Sequence, residues 1–151
     1  MSERFWEAKT LEQMSQAEWE SLCDGCARCC LKKLEDEDSG EVVYTAVVCR
    51  YLETDSRRCT VYPDRHRLVA ACIAFDAGDV AAMHWLPRSC AYRRVAEGRG
   101  LADWHPLLQT ATSADADPVH AAGIAVTGRT INELGVPDDE LESYVIRWVE
   151  T

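Results

Sequence analysis

The apolar and polar positions of this chain alternate between short helical and short extended runs, and no run is long. Over residues 1–22 the apolar anchors are Phe5, Trp6 and Leu11, followed by Trp19 and Leu22 three apart, which predicts helix. Ser15 and Glu18 have capping-box spacing, with Met14 placed before them as half of a hydrophobic staple. This helix leads to Cys23, and Gly25 permits a tight turn beyond it. Leu31–Leu34 and the β-branched run Val42–Cys49 flank an acidic, glycine-ended loop (Glu35 to Gly40), the pattern of a β-hairpin.

Arg50–Arg58 reads as a polar connection and Cys59–Tyr62 as short and extended. Pro63 opens a helical turn that carries Leu68, Val69 and Cys72. Asp79 is placed to cap a helix through Val80, Met83 and His84 that stops at Pro87, and Ser89 to cap another over Cys90–Glu97, ended by Gly98. The apolar stretch Trp104–Leu108 is expected on the core, and Ser113–Asp117 as a small polar loop. Ile124–Val126 reads as a strand, and Ile131–Leu134 as a turn of helix. Pro137 and Asp138 open a last helix with Leu141, Tyr144, Val145 and Trp148 on one face. With no internal repeat or linker, the expectation is one domain over 1–151. Its class is α+β: small and loop-rich, with short helices and a small antiparallel sheet.

Composition narrows the function. The chain has 151 residues, 47% hydrophobic and 28% charged, enough for one core. A net charge of −10 excludes the basic face that nucleic acid demands and opposes binding to anionic membranes. No stretch approaches the roughly 18 apolar residues of a membrane span, and the N-terminus lacks an export signal. The expectation is therefore a cytoplasmic protein. Disulfides are rare there, which leaves its thiols reduced and available to metals or redox chemistry.

Eight cysteines then become the main feature, because four of them fall within Cys23-Asp24-Gly25-Cys26-Ala27-Arg28-Cys29-Cys30. A CxxC turn brings two sulfurs to one point, as in zinc knuckles. Here the spacing repeats over Cys23, Cys26 and Cys29, which suits a polynuclear iron–sulfur centre better than one zinc. Cys30 diverges from Cys29 and faces a second site, or replaces it at the first. Cys49, Cys59, Cys72 and Cys90 complete two four-ligand sites, or serve one cluster plus the core. His84 and His105, beside Trp85 and Trp104, read as core residues, His66 as a weak ligand candidate and His120 as a surface residue. There is no glycine-rich phosphate loop, HExxH, GxSxG or zinc-deaminase pattern, so no catalytic role stands apart from the thiols.

With those residues in view, Cys23–Cys30 resembles the bacterial cysteine-cluster family named for its CxxCxxCC motif, whose domains are described as zinc- or iron-chelating. The family's second block is similar to Cys49, then Cys59-Thr60-Val61-Tyr62-Pro63-Asp64-Arg65, then Cys72, with His66 where the family has proline. Trp85–Arg93 and Trp104–Leu108 resemble the YcgN-type branch. The resemblance implies a metal centre of zinc or iron (an iron–sulfur cluster included) held by Cys23, Cys26, Cys29, Cys30, Cys49, Cys59, Cys72 and Cys90. It names no protein partner and no reaction. A redox or iron–sulfur accessory enzyme and a metal carrier are the rival roles.

Overall fold

The computed structural model describes residues 4–69, 72, 76–108 and 117–151; most of the polar loop expected over Ser113–Asp117 lies outside them. The chain forms two compact units, one of Met1–Cys26 with Phe75–Ala125, the other of Ala27–Ala74 with Val126–Thr151. Short helices and small sheets make the class α+β, as the sequence patterning indicated.

In the first unit the N-terminal stretch is helical in three pieces, Phe5–Ala8, a 3-10 turn at Leu11–Gln13, and Gln16–Ser21. It breaks because two capping boxes restart it. Thr10 N–H donates to Gln13 Oε1 at 2.9 Å, and Ser15 N–H donates to Glu18 Oε1 at 2.9 Å while Glu18 N–H returns to Ser15 Oγ at 3.1 Å. Each box satisfies amides that a helix start leaves open. The pieces bury Leu11 and Leu22 against Val80, Leu86 and Tyr92, with Met14 and Trp19 at the margin. Tyr92 comes from the helix Ala91–Ala96, and its hydroxyl donates to Trp19 O at 2.7 Å. Cys90 occupies the N-cap of that helix, one position later than the expected cap at Ser89. Ile124 and Ala125 form no strand, because both amides donate to Val119 O, closing the helix Pro118–Ala121. The expected helix after Asp79 is a single 3-10 turn, Val80–Ala82; the Asp79 carboxylate accepts from Asp76 N–H instead of capping it.

The second unit holds the strands: β1 Leu31–Glu35, β2 Val42–Val48, β3 Leu52–Glu53, β4 Arg58–Cys59 and β5 Ile131–Asn132. One sheet runs β1-β2-β5, and β3 pairs with β4. The β1–β2 hairpin is antiparallel. Its turn is tied by the Asp36 carboxylate, which accepts from Asp38 N–H and Ser39 N–H at 2.8 Å each. Gly40, at φ 74°, supplies the left-handed residue that closes it.

The register along β1–β2 is not constant. Lys33 pairs with Tyr44, but Leu31 pairs with Val48, so Thr45, Ala46 and Val47 bulge opposite Lys32. Thr45 is fully buried and repairs the interrupted ladder. Its hydroxyl donates to Lys32 O at 2.9 Å and accepts from Val47 N–H at 3.2 Å. Beyond the bulge, β5 joins β2 in parallel, Val47 opposite Ile131 and Val48 opposite Asn132. A helical turn was expected at Ile131–Leu134; strand pairing takes its first two residues, and a 3-10 turn follows at Glu133–Gly135. The last helix also ends early. Asp138–Tyr144 is a 3-10 stretch, after which Val145 bridges to Thr45 and Ile146 N–H donates to Tyr44 O at 2.9 Å. The free edge of β2 captures this segment by backbone pairing and overrides its helical spacing. Leu31, Tyr44, Val48, Leu52, Val126 and Val149 form one core of the unit, and Val47, Val136 and Leu141 another. Each such side chain contributes roughly 1.5–3 kcal/mol by leaving water.

Candidate metal centre

The boundary between the two units falls between Cys26 and Ala27, so the eight cysteines divide. All eight are thiols in the structure. Cys23, Cys26 and Cys90 lie in the first unit. Cys23 is exposed, directly after buried Leu22. Cys26 is buried against Val119 and Ala125, and its N–H donates to Asp24 Oδ1 at 3.0 Å. Asp24 Oδ2 in turn accepts from Trp104 Nε1 at 3.4 Å, so the turn after Cys23 is an Asx turn anchored to an indole. Cys90 packs at the margin of the Leu22–Leu86–Tyr92 core.

Cys29, Cys30, Cys49, Cys59 and Cys72 belong to the second unit, and its strands position them. Ala27 is left-handed, at φ 64°, and turns the chain into a 3-10 segment at Arg28–Cys30 that runs into β1. Cys30 therefore precedes β1 and Cys49 follows β2. The bulged register aligns them: Leu31 opposes Val48, and Cys49 N–H donates to Cys30 O at 3.1 Å. Cys59 ends β4 opposite Leu52, three residues past Cys49. Cys72 follows the helix Arg65–Leu68, with its N–H on Val69 O at 3.1 Å.

Electrostatics ties these five together. The Cys30 thiol is pushed far up by its hydrogen bond with Cys29, then by burial and by the charges of Cys29 and Cys49, with Lys33 pulling the other way. Burial raises Cys49; an N–H from Tyr51 opposes this, while Glu133 and Cys59 add to it. Burial also raises Cys72; Arg65 opposes it, and Cys59, Cys29 and Cys49 add to it. Lys33 is lowered by its burial and held up by Cys29, Cys30 and Cys72. Its ammonium donates to Cys29 O at 2.8 Å and to Leu31 O at 2.9 Å, and lies 5.0 Å from the Tyr44 ring centre. A cation is thus held by backbone carbonyls near thiols from two separate stretches of chain, Cys29–Cys30 and Cys72.

Among the described residues, no three His, Cys, Asp or Glu side chains already converge as a coordination sphere. The donors fit soft thiophilic metals by their chemistry, and closing a sphere requires side-chain movement on binding. The histidines add little. His66, His84 and His120 are exposed, so His84 is not the core residue expected. His105 is buried as expected. Its Nδ1 accepts from Leu107 N–H at 3.0 Å, which places the ring proton on Nε2, donating to Leu22 O at 2.6 Å. Both nitrogens are thus occupied structurally. Two site residues had no signal in the sequence, Lys33 and Glu133. Glu133 reaches the Arg50 amide beside Cys49 from more than eighty positions along the chain, and the β2–β5 pairing brings it there. An open cleft of about 710 Å³ in the first unit, lined by Trp6, Leu11, Val80 and Val95, has no cysteine in its wall.

No helix among the described residues is long and apolar enough to cross a membrane. Residues 22–91 match the CxxCxxCC family model, described as a "Putative zinc- or iron-chelating domain". The chain is 51% identical over 145 residues to a UPF0260 protein of Marinobacter nauticus, covering 96% of this chain and 95% of that one. It is 53% identical over 145 residues to a UPF0260 protein of Cellvibrio japonicus, covering 96% of each. A UPF0260 protein of Rhodopseudomonas palustris is 52% identical, over 95% of this chain and 83% of its own length. No solved structure matches the chain significantly. Carrying the CxxCxxCC domain, and similar to these relatives nearly end to end, the chain belongs to the UPF0260 family.

Proposed function

We propose that this protein binds zinc or iron through the thiolates of its second unit, Cys29, Cys30, Cys49, Cys59 and Cys72, in the reducing cytoplasm. One observation carries the reading. Thiols that the sequence spreads over more than forty positions lie within electrostatic reach of one another and of the half-buried Lys33 ammonium. Apolar packing gives no reason to gather thiols beside a cation, whereas a polythiolate metal site carries excess negative charge that such a cation offsets. The match to a zinc- or iron-chelating domain over residues 22–91 supports the same chemistry.

The direction of the thiol shifts bears on the rival roles. A redox enzyme needs a cysteine whose pKa is lowered, since the thiolate is the nucleophile. Cys30, Cys49 and Cys72 are all raised, so none of the three is a ready nucleophile near neutral pH. A metal entering there displaces protons, so apparent affinity rises with pH. The bound metal would act as a charge centre that draws the thiolates together, or, as iron with sulfide, as an electron carrier.

Protein purified under anaerobic conditions and analysed for zinc, iron and acid-labile sulfide tests the reading. Stoichiometric zinc in a colourless sample establishes the zinc version. Iron with sulfide and visible charge-transfer absorption establishes the cluster version. A chain that holds neither, and takes up neither when reconstituted, overturns the proposal.

A further inference from the structure

Residues 131–142 of the second unit are pinned at both ends and expose apolar side chains between the pins. At one end β5 pairs in parallel with Val47 and Val48. At the other, Val136 and Leu141 pack with Val47 in a buried cluster. Ile131 and Leu134 are left outside. Ile131 is 43% exposed and Leu134 70%, the most exposed large apolar side chain among the described residues.

A single apolar side chain on a surface needs no explanation. These two differ because they sit three apart on a segment whose backbone is already fixed. Leu134 N–H donates to Asn132 Oδ1 at 2.9 Å, and Val136 N–H closes the turn on Glu133 O at 3.2 Å. Leu134 is therefore a preorganised projection, and a partner that covers it has little backbone left to order.

The charge beside this projection has one sign. Glu133 is offset, since it accepts from Arg50 N–H at 2.7 Å and lies 3.2 Å from Lys32 Nζ and 3.5 Å from Arg50 Nε. Asp138, Asp139, Glu140 and Glu142 follow it, all exposed, and among the described residues none of the four has an ion pair. A second copy of the chain is a poor occupant, because it would bring the same carboxylates and a net charge of −10 to the contact. Strand addition is poor as well. β5 is the outer strand of its sheet but only two residues long, so main-chain pairing offers little and side chains must carry the contact.

We propose that Ile131 and Leu134 dock a basic amphipathic helix of a partner protein, whose apolar stripe covers the two side chains while its Lys or Arg residues face Asp138, Asp139, Glu140 and Glu142. No cysteine belongs to this surface, so the docking stands apart from the metal-binding reading. Burial of Leu134 supplies most of the affinity. The carboxylates set orientation and speed the encounter, and their share is screened by salt.

A fluorescein-labelled helical peptide of leucine and lysine, with leucines at i, i+3, i+4 and i+7, is the probe, titrated against the full-length chain by fluorescence anisotropy. The same residues in an order that gives no apolar face are the control peptide. The patterned peptide should bind at least about tenfold more tightly than the control. Leu134→Ser should weaken it roughly tenfold or more, and Ile131→Thr by less. Leu68→Ser removes an apolar side chain that is 41% exposed elsewhere in the unit and should leave binding unchanged. The triple variant Asp138→Asn/Asp139→Asn/Glu140→Gln should bind more weakly at low salt and lose most of the salt dependence. If Leu134→Ser departs from the wild-type circular dichroism spectrum, Leu134→Gln carries the same expectation. Equal binding of the two peptides reduces the effect to diffuse charge attraction and overturns the proposal. So does wild-type affinity in both the Leu134 and Ile131 variants, an equal loss in Leu68→Ser, or no binding of the patterned peptide. Self-association of the wild-type chain in sedimentation that Leu134→Ser abolishes overturns it too, by giving the surface to a second copy.

Discussion

Replacing Thr45 by valine isolates the bulge that aligns Cys30 with Cys49. The two side chains have nearly the same shape, so no cavity opens and the hydroxyl is the variable. Thr45 is fully buried, and its hydroxyl serves two backbone groups, Lys32 O at 2.9 Å and Val47 N–H at 3.2 Å. Val47 is itself fully buried, so its amide loses its partner without water to replace it, at about 1–3 kcal/mol. Lys32 is half-buried and water partly restores its carbonyl, which leaves roughly 0.5–1 kcal/mol there. The expected loss is ~2–4 kcal/mol. With a urea dependence of about 1–3 kcal/mol/M, the midpoint falls by roughly 1–2 M. Thr45→Ser is the control. It keeps both hydrogen bonds and removes one buried methyl, costing about 1 kcal/mol. Urea titrations followed by far-UV circular dichroism should therefore rank wild type above Thr45→Ser above Thr45→Val. A Thr45→Val protein within about 0.5 kcal/mol of wild type, or more stable than Thr45→Ser, would refute the reasoning.

Three further outcomes follow from other sites. His105→Ala strips the buried Leu22 carbonyl of its donor and opens a cavity, so chemical denaturation should show a loss of about 3 kcal/mol with metal content per chain unchanged; lost metal with stability intact would mean the imidazole is a ligand. Glu97 is held below the usual glutamate range by hydrogen bonds from Arg93 and then Arg99. A lowered carboxylate stabilises above its unfolded pKa, and that stabilisation is lost as pH falls through the lowered value. Glu97→Gln should accordingly flatten the acid limb of the melting-temperature profile, and an unaltered limb counts against the pairing. Stripping the metal-loaded protein with a strong chelator should lower its melting temperature, because binding energy is also folding energy, and an unchanged melt would remove the structural role of the metal.

Where neighbours in sequence are the partners, the fold was legible. The Ser15–Glu18 capping box, the acidic turn between β1 and β2, and the end of the Ala91–Ala96 helix near Gly98 each depend on residues within a few positions of one another. Some local readings also failed, as where the Ile124 and Ala125 amides turn back to Val119 O, but the larger departures came where a distant segment competed. Ile131 is a strand residue because Val47 pairs with it, and Val145 leaves the last helical stretch because Thr45 does. Local spacing holds no record of such partners.

The candidate site divides the same way. The clustering of Cys23, Cys26, Cys29 and Cys30, and the choice of thiol chemistry itself, came from the sequence alone, because ligand type and short spacing are local properties. Tertiary structure alone decided which thiols share a unit, that a two-residue slip across the bulge sets Cys30 against Cys49, and that Lys33 and Glu133 join them. Strand register and a parallel pairing across more than eighty residues are set by burial of Val47, Val48 and Tyr44 on a common sheet, which is a property of the assembled fold.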